Sequence, residues 1–305
     1  MSRGIGEFEV VQGSIPEWLA VVIALLTQLG SVWFLVLVLT ALYWTATDAR
    51  DDIATVAGMA IAGMGCYKGL KEVFGLPRPE APLIDPTLLP WLIEPLYEAT
   101  ATVGGYGFPS GHAVNTTVVY VGLAAVLPIG TRRLRYGAAA GLIVLVSFTR
   151  VALGVHYVVD VVVGAALGLA LVGGFFWLFG RTRLDRPTVA FGLGVPFTAF
   201  LYVASDGGSS GRILLAAALG AFTGWQLVVL GRRVAAEPPG TLAMRSLSAR
   251  GLAALLAAVV LVVGTTDGPL FSVSTAAGLV GFATAVVVVV VPVARHAGRA
   301  RSKRS

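Results

Sequence analysis

The chain has 305 residues, of which 22 are Lys or Arg and 16 are Asp or Glu, giving a formal net charge of +6. Apolar residues make up 56% and charged ones only 12%, about half the charged fraction of a soluble domain; with a mean hydropathy of +0.84, this excludes a water-soluble globular enzyme and a disordered chain. The single cysteine, Cys66, excludes a disulfide framework and a cysteine-based metal cluster, and three histidines leave few groups for acid–base chemistry.

A helix crosses a bilayer with about 20 apolar residues. In chain order the sequence predicts nine such runs, at 18–45, 53–73, 110–129, 135–153, 156–179, 188–204, 212–231, 251–266 and 270–294. The first is too short for two spans and a turn, so it reads as one long or tilted helix. It does not read as a cleavable signal peptide, because Arg3 is its only upstream base and the apolar run is too long. Of the 22 bases, sixteen fall on alternate connections or in the tail, among them Arg50, Arg132, Arg133, Arg135, Arg181, Arg232 and Arg250. The other six are Arg3, Lys68, Lys71, Arg78, Arg150 and Arg212. Basic loops stay in the cytoplasm. The tail is therefore expected inside, and the N-terminus, with Glu7, Glu9 and Glu17, outside.

Between the second and third runs, residues 74–109 form a long, proline-rich outer segment with the acids Glu80, Asp85, Glu94 and Glu98. Trp91, Tyr97 and Tyr106 suit the headgroup level, and Leu88 to Tyr97 could lie in the interface, its helicity limited by Pro90 and Pro95. Loops of this length are usually functional, and a cover over an outward-facing site is expected, with an inert linker as the alternative. Further on, Gly164 and Gly168 form a small-xxx-small pair suited to close helix packing. The span interiors after Pro187 carry no ionisable residue, which assigns that half to packing, lipid contact or assembly.

Ionisable residues at the outer ends of the early spans gather in three clusters, and charges at membrane depth are functional hypotheses by default. The first runs from Lys71 to Arg78-Pro79, where a helix gives way to a Gly/Pro turn; taken alone, its cations read equally well as snorkelling side chains. Lys68, one turn earlier, reads as a snorkeller or an auxiliary contact. The second is Pro109-Ser110-Gly111-His112, a helix start whose unpaired amides make an anion site beside a histidine. A lone histidine there is more often structural. The third is Thr149-Arg150 followed by His156 and Asp160, whose i, i+4 spacing lets the carboxylate hold one imidazole N–H. Such a pair could also hold a metal, but the nearby cations favour an oxyanion.

Together these residues resemble the signature of the type 2 phosphatidic acid phosphatase superfamily, whose fold and site are shared with vanadium haloperoxidases. Lys71, six residues, Arg78-Pro79; Pro109-Ser110-Gly111-His112; and Arg150, five residues, His156, three residues, Asp160 match that pattern, with Thr149 replacing the usual serine. The resemblance implies that His156 attacks phosphorus and forms a phosphohistidine, that Asp160 orients it, and that His112 protonates the leaving oxygen and then activates water. It implies that Lys71, Arg78, Ser110, Gly111 and Arg150 bind the phosphoryl oxygens, with no metal or cofactor. The expected fold is all-α, a polytopic integral membrane helical bundle of about nine transmembrane helices with a PAP2-like core at 50–187, preceded by a transmembrane helix in 1–49 and followed by a four-helix extension with a basic tail in 188–305.

The expected function is metal-independent hydrolysis of a lipid phosphate or isoprenoid (di)phosphate, with the site on the extracytoplasmic side of a multi-pass cell-membrane protein. Membrane lipids are the expected partners, and nucleic acid is not. A lipid phosphotransferase, a vanadate-dependent haloperoxidase and a transport or sensing protein are the alternatives. Nine spans oppose the soluble haloperoxidase, and charges gathered at one face rather than the midplane oppose a transporter.

Overall fold

The computed structural model describes residues 3–16, 18–46, 48–79, 82–91, 94–101, 104–236, 244–263 and 276–289. Glu17 and the basic tail beyond residue 294, used above to argue topology, lie outside the described residues, as do Glu80 and parts of the runs predicted at 251–266 and 270–294. Among the described residues all regular structure is helical, with no strand. In chain order the helices are α1 (Glu7–Gln12), α2 (Leu19–Leu26), α3 (Val32–Thr45), α4 (Arg50–Phe74), α5 (Glu94–Ala101), α6 (Gly111–Val126), α7 (Arg132–Ala152), α8 (Val158–Phe179), α9 (Arg186–Ala204), α10 (Ser209–Ala236), α11 (Met244–Val263) and α12 (Ala276–Val289).

Five of these, α4, α7, α8, α9 and α10, are long and apolar enough to cross a bilayer, and the α2–α3 pair raises the number to six. The expected count of nine is not confirmed: the runs at 110–129, 251–266 and 270–294 contain shorter apolar helices. The first run is also not one helix. Thr27–Gly30 winds as a 3₁₀ turn, and α2 and α3 meet there at 50°. The cause lies in tertiary packing. A Cβ on Gly30 would stand 2.6 Å from both Thr116 Oγ1 and Val146 Cγ1, so the bare backbone of the bend presses between α6 and α7.

The described residues form two units, one of residues 1–42 with 66–181 and the other of 43–65 with 182–305. In the first, α6 packs against both α7 and α8. Gly164 and Gly168 bring α8 in: a Cβ at these positions would meet the Ser110 carbonyl at 2.7 Å and Thr117 Cβ at 2.6 Å. Close backbone approach of this kind drives helix association where lipid removes the hydrophobic difference. Residues 82–91 and 94–101 belong to the same unit, where Tyr97 and Ala101 join Ala20, Ile23, Ala152, Leu153 and Val155 in one core cluster. Tyr97 is fully buried, its hydroxyl accepting the Ile84 N–H at 3.1 Å, and so is not a headgroup anchor, whereas Trp91 is 81% exposed.

In the second unit, α10 packs against α9 and α11. Pro187 sits in the first turn of α9, where its missing N–H costs nothing, and Asp185 caps that helix by accepting from Thr188 N at 3.0 Å. The same carboxylate accepts from Trp225 Nε1 at 2.7 Å and Arg250 Nη2 at 3.0 Å. Burial alone would raise the Asp185 carboxyl, but the hydrogen bonds from Thr188, Trp225 and Arg250 hold it below its ordinary value.

Candidate active site

The third cluster is shaped by a turn. α7 ends at Ala152, and Gly154 takes φ +68°, the left-handed region that a side chain disfavours. The chain folds back so that Val155 N donates to the Arg150 carbonyl at 3.2 Å. His156 then lies between the helices, and Asp160 falls in the first turn of α8, accepting from Tyr157 N at 3.1 Å. Both side chains are buried, at 1% and 0% exposure.

His156 Nδ1 lies 3.3 Å from Asp160 Oδ2, and its Nε2 lies 3.0 Å from Arg78 Nη1. A guanidinium can only donate, so Nε2 must accept and Nδ1 must carry the proton toward Asp160. The pair thereby fixes a neutral imidazole with its lone pair on Nε2. Burial, and after it the cations of Arg150, Arg78, Lys71 and Arg3, hold this imidazole well below the usual histidine range. Burial likewise pulls the Arg78 guanidinium down, against the attraction of Asp160.

The second cluster joins the third through the backbone, where Ser110 N donates to the Asp160 carbonyl at 2.9 Å. Ser110 ends the loop before α6, fully buried, and its Oγ makes no hydrogen bond. Gly111 lies so close to Tyr67 that a Cβ would stand 2.5 Å from the ring. His112, in the first turn of α6, lies within electrostatic reach of Arg150, His156, Arg78 and Lys71.

Lys71, in the last turn of α4, donates to the Tyr106 carbonyl at 2.8 Å. Arg78 also donates to the carbonyls of Val155 at 3.1 Å and Gly104 at 3.3 Å. The far end of the long outer segment is therefore drawn against both cations. Arg150 is 1% exposed; its Nη1 donates to Thr27 Oγ1 at 3.2 Å and its buried Nε has no partner. Thr149 spends its hydroxyl on the Val146 carbonyl at 2.7 Å.

All eight residues singled out from the sequence thus fall in one region of the first unit. Cations exceed anions there, and buried donors on Ser110 and Arg150 stand unfilled. Buried charge without a counter-ion is costly, so the arrangement favours an anionic ligand carrying more than one oxygen. Among the described residues no group of three or more His, Cys, Asp or Glu side chains gathers to hold a metal ion. Sequence reasoning missed Thr27, Tyr67, Glu7 and the role of Arg3, which the fold brings in from distant segments. Their spacing gave no signal.

Residues 52–184 match the model of the PAP2 superfamily. The lipid phosphate phosphatase delta of Arabidopsis thaliana is 31% identical over 170 residues, covering 51% of this chain and 36% of that protein. Phosphatidylglycerophosphatase B of Bacillus subtilis (strain 168) is 36% identical over 107 residues, covering 32% of this chain and 51% of that protein. The chain thus spans about half or less of the length of these relatives, and no solved structure gives a significant match. The matched segment contains all three clusters, so residues 52–184 of this all-helical chain are similar to the PAP2 superfamily.

Proposed function

We propose that the protein is a membrane phosphatase that hydrolyses the phosphate monoester of a lipid or isoprenoid (di)phosphate, with residues 50–187 as its catalytic core. The observation that carries this reading is the His156 geometry: a neutral imidazole, its lone pair on Nε2, in a region that also holds the buried Arg150, whose Nε has no partner. Both named relatives above are phosphatases of lipid phosphates, which supports the substrate class.

In this reading Arg78 turns from Nε2 to a phosphoryl oxygen as substrate arrives. Lys71, Arg150, the Ser110 hydroxyl and the Gly111 amide take the remaining oxygens. The Nε2 lone pair forms the N–P bond as the P–O bond to the alcohol breaks, and His112 gives its proton to the departing oxygen. Water then attacks phosphorus, His112 takes its proton, and the N–P bond breaks to release inorganic phosphate. Asp160 holds the Nδ1 proton throughout and stabilises the positive charge that the ring gains. Phosphoryl transfer depends chiefly on positioning and charge stabilisation, which these cations supply in place of a metal ion.

The site is proposed to face the extracytoplasmic side, on the strength of the sixteen bases on alternate connections and in the tail. With Cys66 replaced, a cysteine at position 85 should react with an impermeant thiol reagent on intact cells; labelling only after lysis inverts the orientation. For the chemistry, purified protein in detergent should release phosphate from lipid phosphates in the presence of a chelator, be inhibited by vanadate, and lose activity in His156→Ala. Strict dependence on added Mg²⁺, or full activity in His156→Ala, overturns the mechanism. Inclusion of an acceptor alcohol separates hydrolysis from transfer: a hydrolase delivers phosphate to water at an unchanged rate.

A further inference from the structure

Arg3 belongs to none of the three clusters and lies 157 positions from Asp160 in sequence, yet it touches segments of all of them. Its Nε donates to Asp160 Oδ1 at 3.2 Å and its Nη2 to the Pro77 carbonyl at 2.8 Å, with a longer contact of 3.4 Å to Asp160 Oδ2. Its guanidinium stands 4.9 Å from the centre of the Tyr157 ring and 6.0 Å from that of Phe108. Pro77 adjoins Arg78, Phe108 adjoins Pro109, and Tyr157 adjoins His156.

The segment that carries Arg3 is fastened independently. Glu7 is buried; its Oε1 accepts the Val158 N–H at 3.2 Å, and its Oε2 accepts the Ile5 N–H. Phe8 packs on Tyr157 with ring centres 5.7 Å apart, and Gln12 Nε2 donates to the Ala152 carbonyl at 3.2 Å. Residues 3–12 therefore run along the turn that presents His156.

We propose that Arg3 is a positioning residue for the reaction, holding the Asp160 carboxylate so that its other oxygen meets His156 Nδ1. Asp160 Oδ2 serves His156 and the Tyr157 amide, whereas Arg3 is the partner that claims Oδ1. A two-oxygen carboxylate held at both ends cannot rotate. A fully buried one also needs a cation in contact, since the phosphate-binding cations are engaged elsewhere. Arg3 thus differs in task from Lys71, Arg78 and Arg150: its charge answers the protein's own carboxylate, not the substrate's phosphate. This inference rests on the phosphatase reading above.

The test is a double-mutant cycle of Arg3→Gln and Asp160→Asn in the full chain, with Arg3→Lys as the conservative variant. Arg3→Gln should lower kcat by about 10–100-fold, the usual range for a residue that orients a functional histidine, with KM and the vanadate inhibition constant within about twofold of the parent. Arg3→Lys should recover much of kcat, and in the Asp160→Asn background Arg3→Gln should cost little more. Thermal unfolding of each variant in detergent separates this from loss of fold, and should show the same coupling between the two positions. A raised KM and vanadate constant with kcat intact would make Arg3 a substrate-binding cation and overturn the proposal. So would additive losses in the cycle, or unchanged kcat in Arg3→Gln. A parent protein that releases no phosphate from any lipid phosphate overturns the phosphatase reading and this inference with it, whereas an active parent with an unaffected Arg3→Gln overturns only the latter.

Discussion

Two aspartates head two helices in this chain, and their surroundings differ in one respect. Asp160, in the first turn of α8, and Asp185, the cap of α9, each pair with an arginine from a distant segment, Arg3 and Arg250. Around Asp185 the hydrogen bonding closes on itself: Thr188 and Trp225 fill the carboxylate, Arg250 also reaches Gln226 Oε1 at 2.9 Å, and Gln226 reaches Thr188 Oγ1 at 3.3 Å. Around Asp160 it does not, since Ser110 Oγ, Arg150 Nε and Arg3 Nη1 are buried with no partner. A carboxylate paired with an arginine at a helix start is common to both. What separates a cluster that holds helices together from one that awaits an anion is the hydrogen-bonding capacity left over.

That contrast can be broken most directly at His156. His156→Ala should lower phosphate release by at least about 10⁴-fold, as loss of an attacking group does elsewhere, measured as released phosphate from a lipid phosphate in detergent; retained activity would place the chemistry elsewhere. Next in size, Arg150→Ala should cost about 10²–10³-fold, the usual price of one charge-stabilising donor, read from kcat/KM at matched protein stability. Asp185→Ala should behave in the opposite way. It removes a helix cap and leaves the buried Trp225 N–H unpaired, together costing about 2–4 kcal/mol of stability, seen as a lower thermal midpoint while activity per folded molecule is kept. If Asp185→Ala instead lost activity while remaining stable, the division between the two clusters would fail.

The smallest effect belongs to the pair of Arg232 with Asp51, which is bidentate at 2.7 and 2.9 Å but 42% and 53% exposed. Solvent screens such a pair, so Asp51→Asn should change stability by less than about 1 kcal/mol. A larger drop in the thermal midpoint would mean that this part of the second unit is drier than its exposure indicates.

Much of the candidate site was legible because its parts are local. The six residues between Lys71 and Arg78, the helix start at Ser110 and the four-residue step from His156 to Asp160 are each short-range patterns, and short-range patterns are what a sequence displays. Gly164 and Gly168 were legible for the same reason, though only the fold shows that their partner is the start of α6. The misreadings were all long-range. The apolar run at 18–45 gives no sign of its break, because the break depends on Gly30 meeting Thr116 and Val146 from two other helices. Tyr97 looked like an interface anchor because an amphipathic ring fits that role, yet it is buried in a core cluster with Ala20, Ile23 and Leu153. The polar ring of Asp185 and Arg250 escaped notice because its members are 65 positions apart.

The sequence by itself determined that the chain is helical and rich in membrane-length apolar runs, and which side chains are candidates for chemistry, since composition and local spacing display both. Only the tertiary structure decided how many helices are long enough to cross, where the first run bends, which tautomer His156 holds, and that Arg3 meets Asp160. Those outcomes depend on contacts between residues tens to hundreds of positions apart, and such contacts are set by packing, which no local pattern encodes.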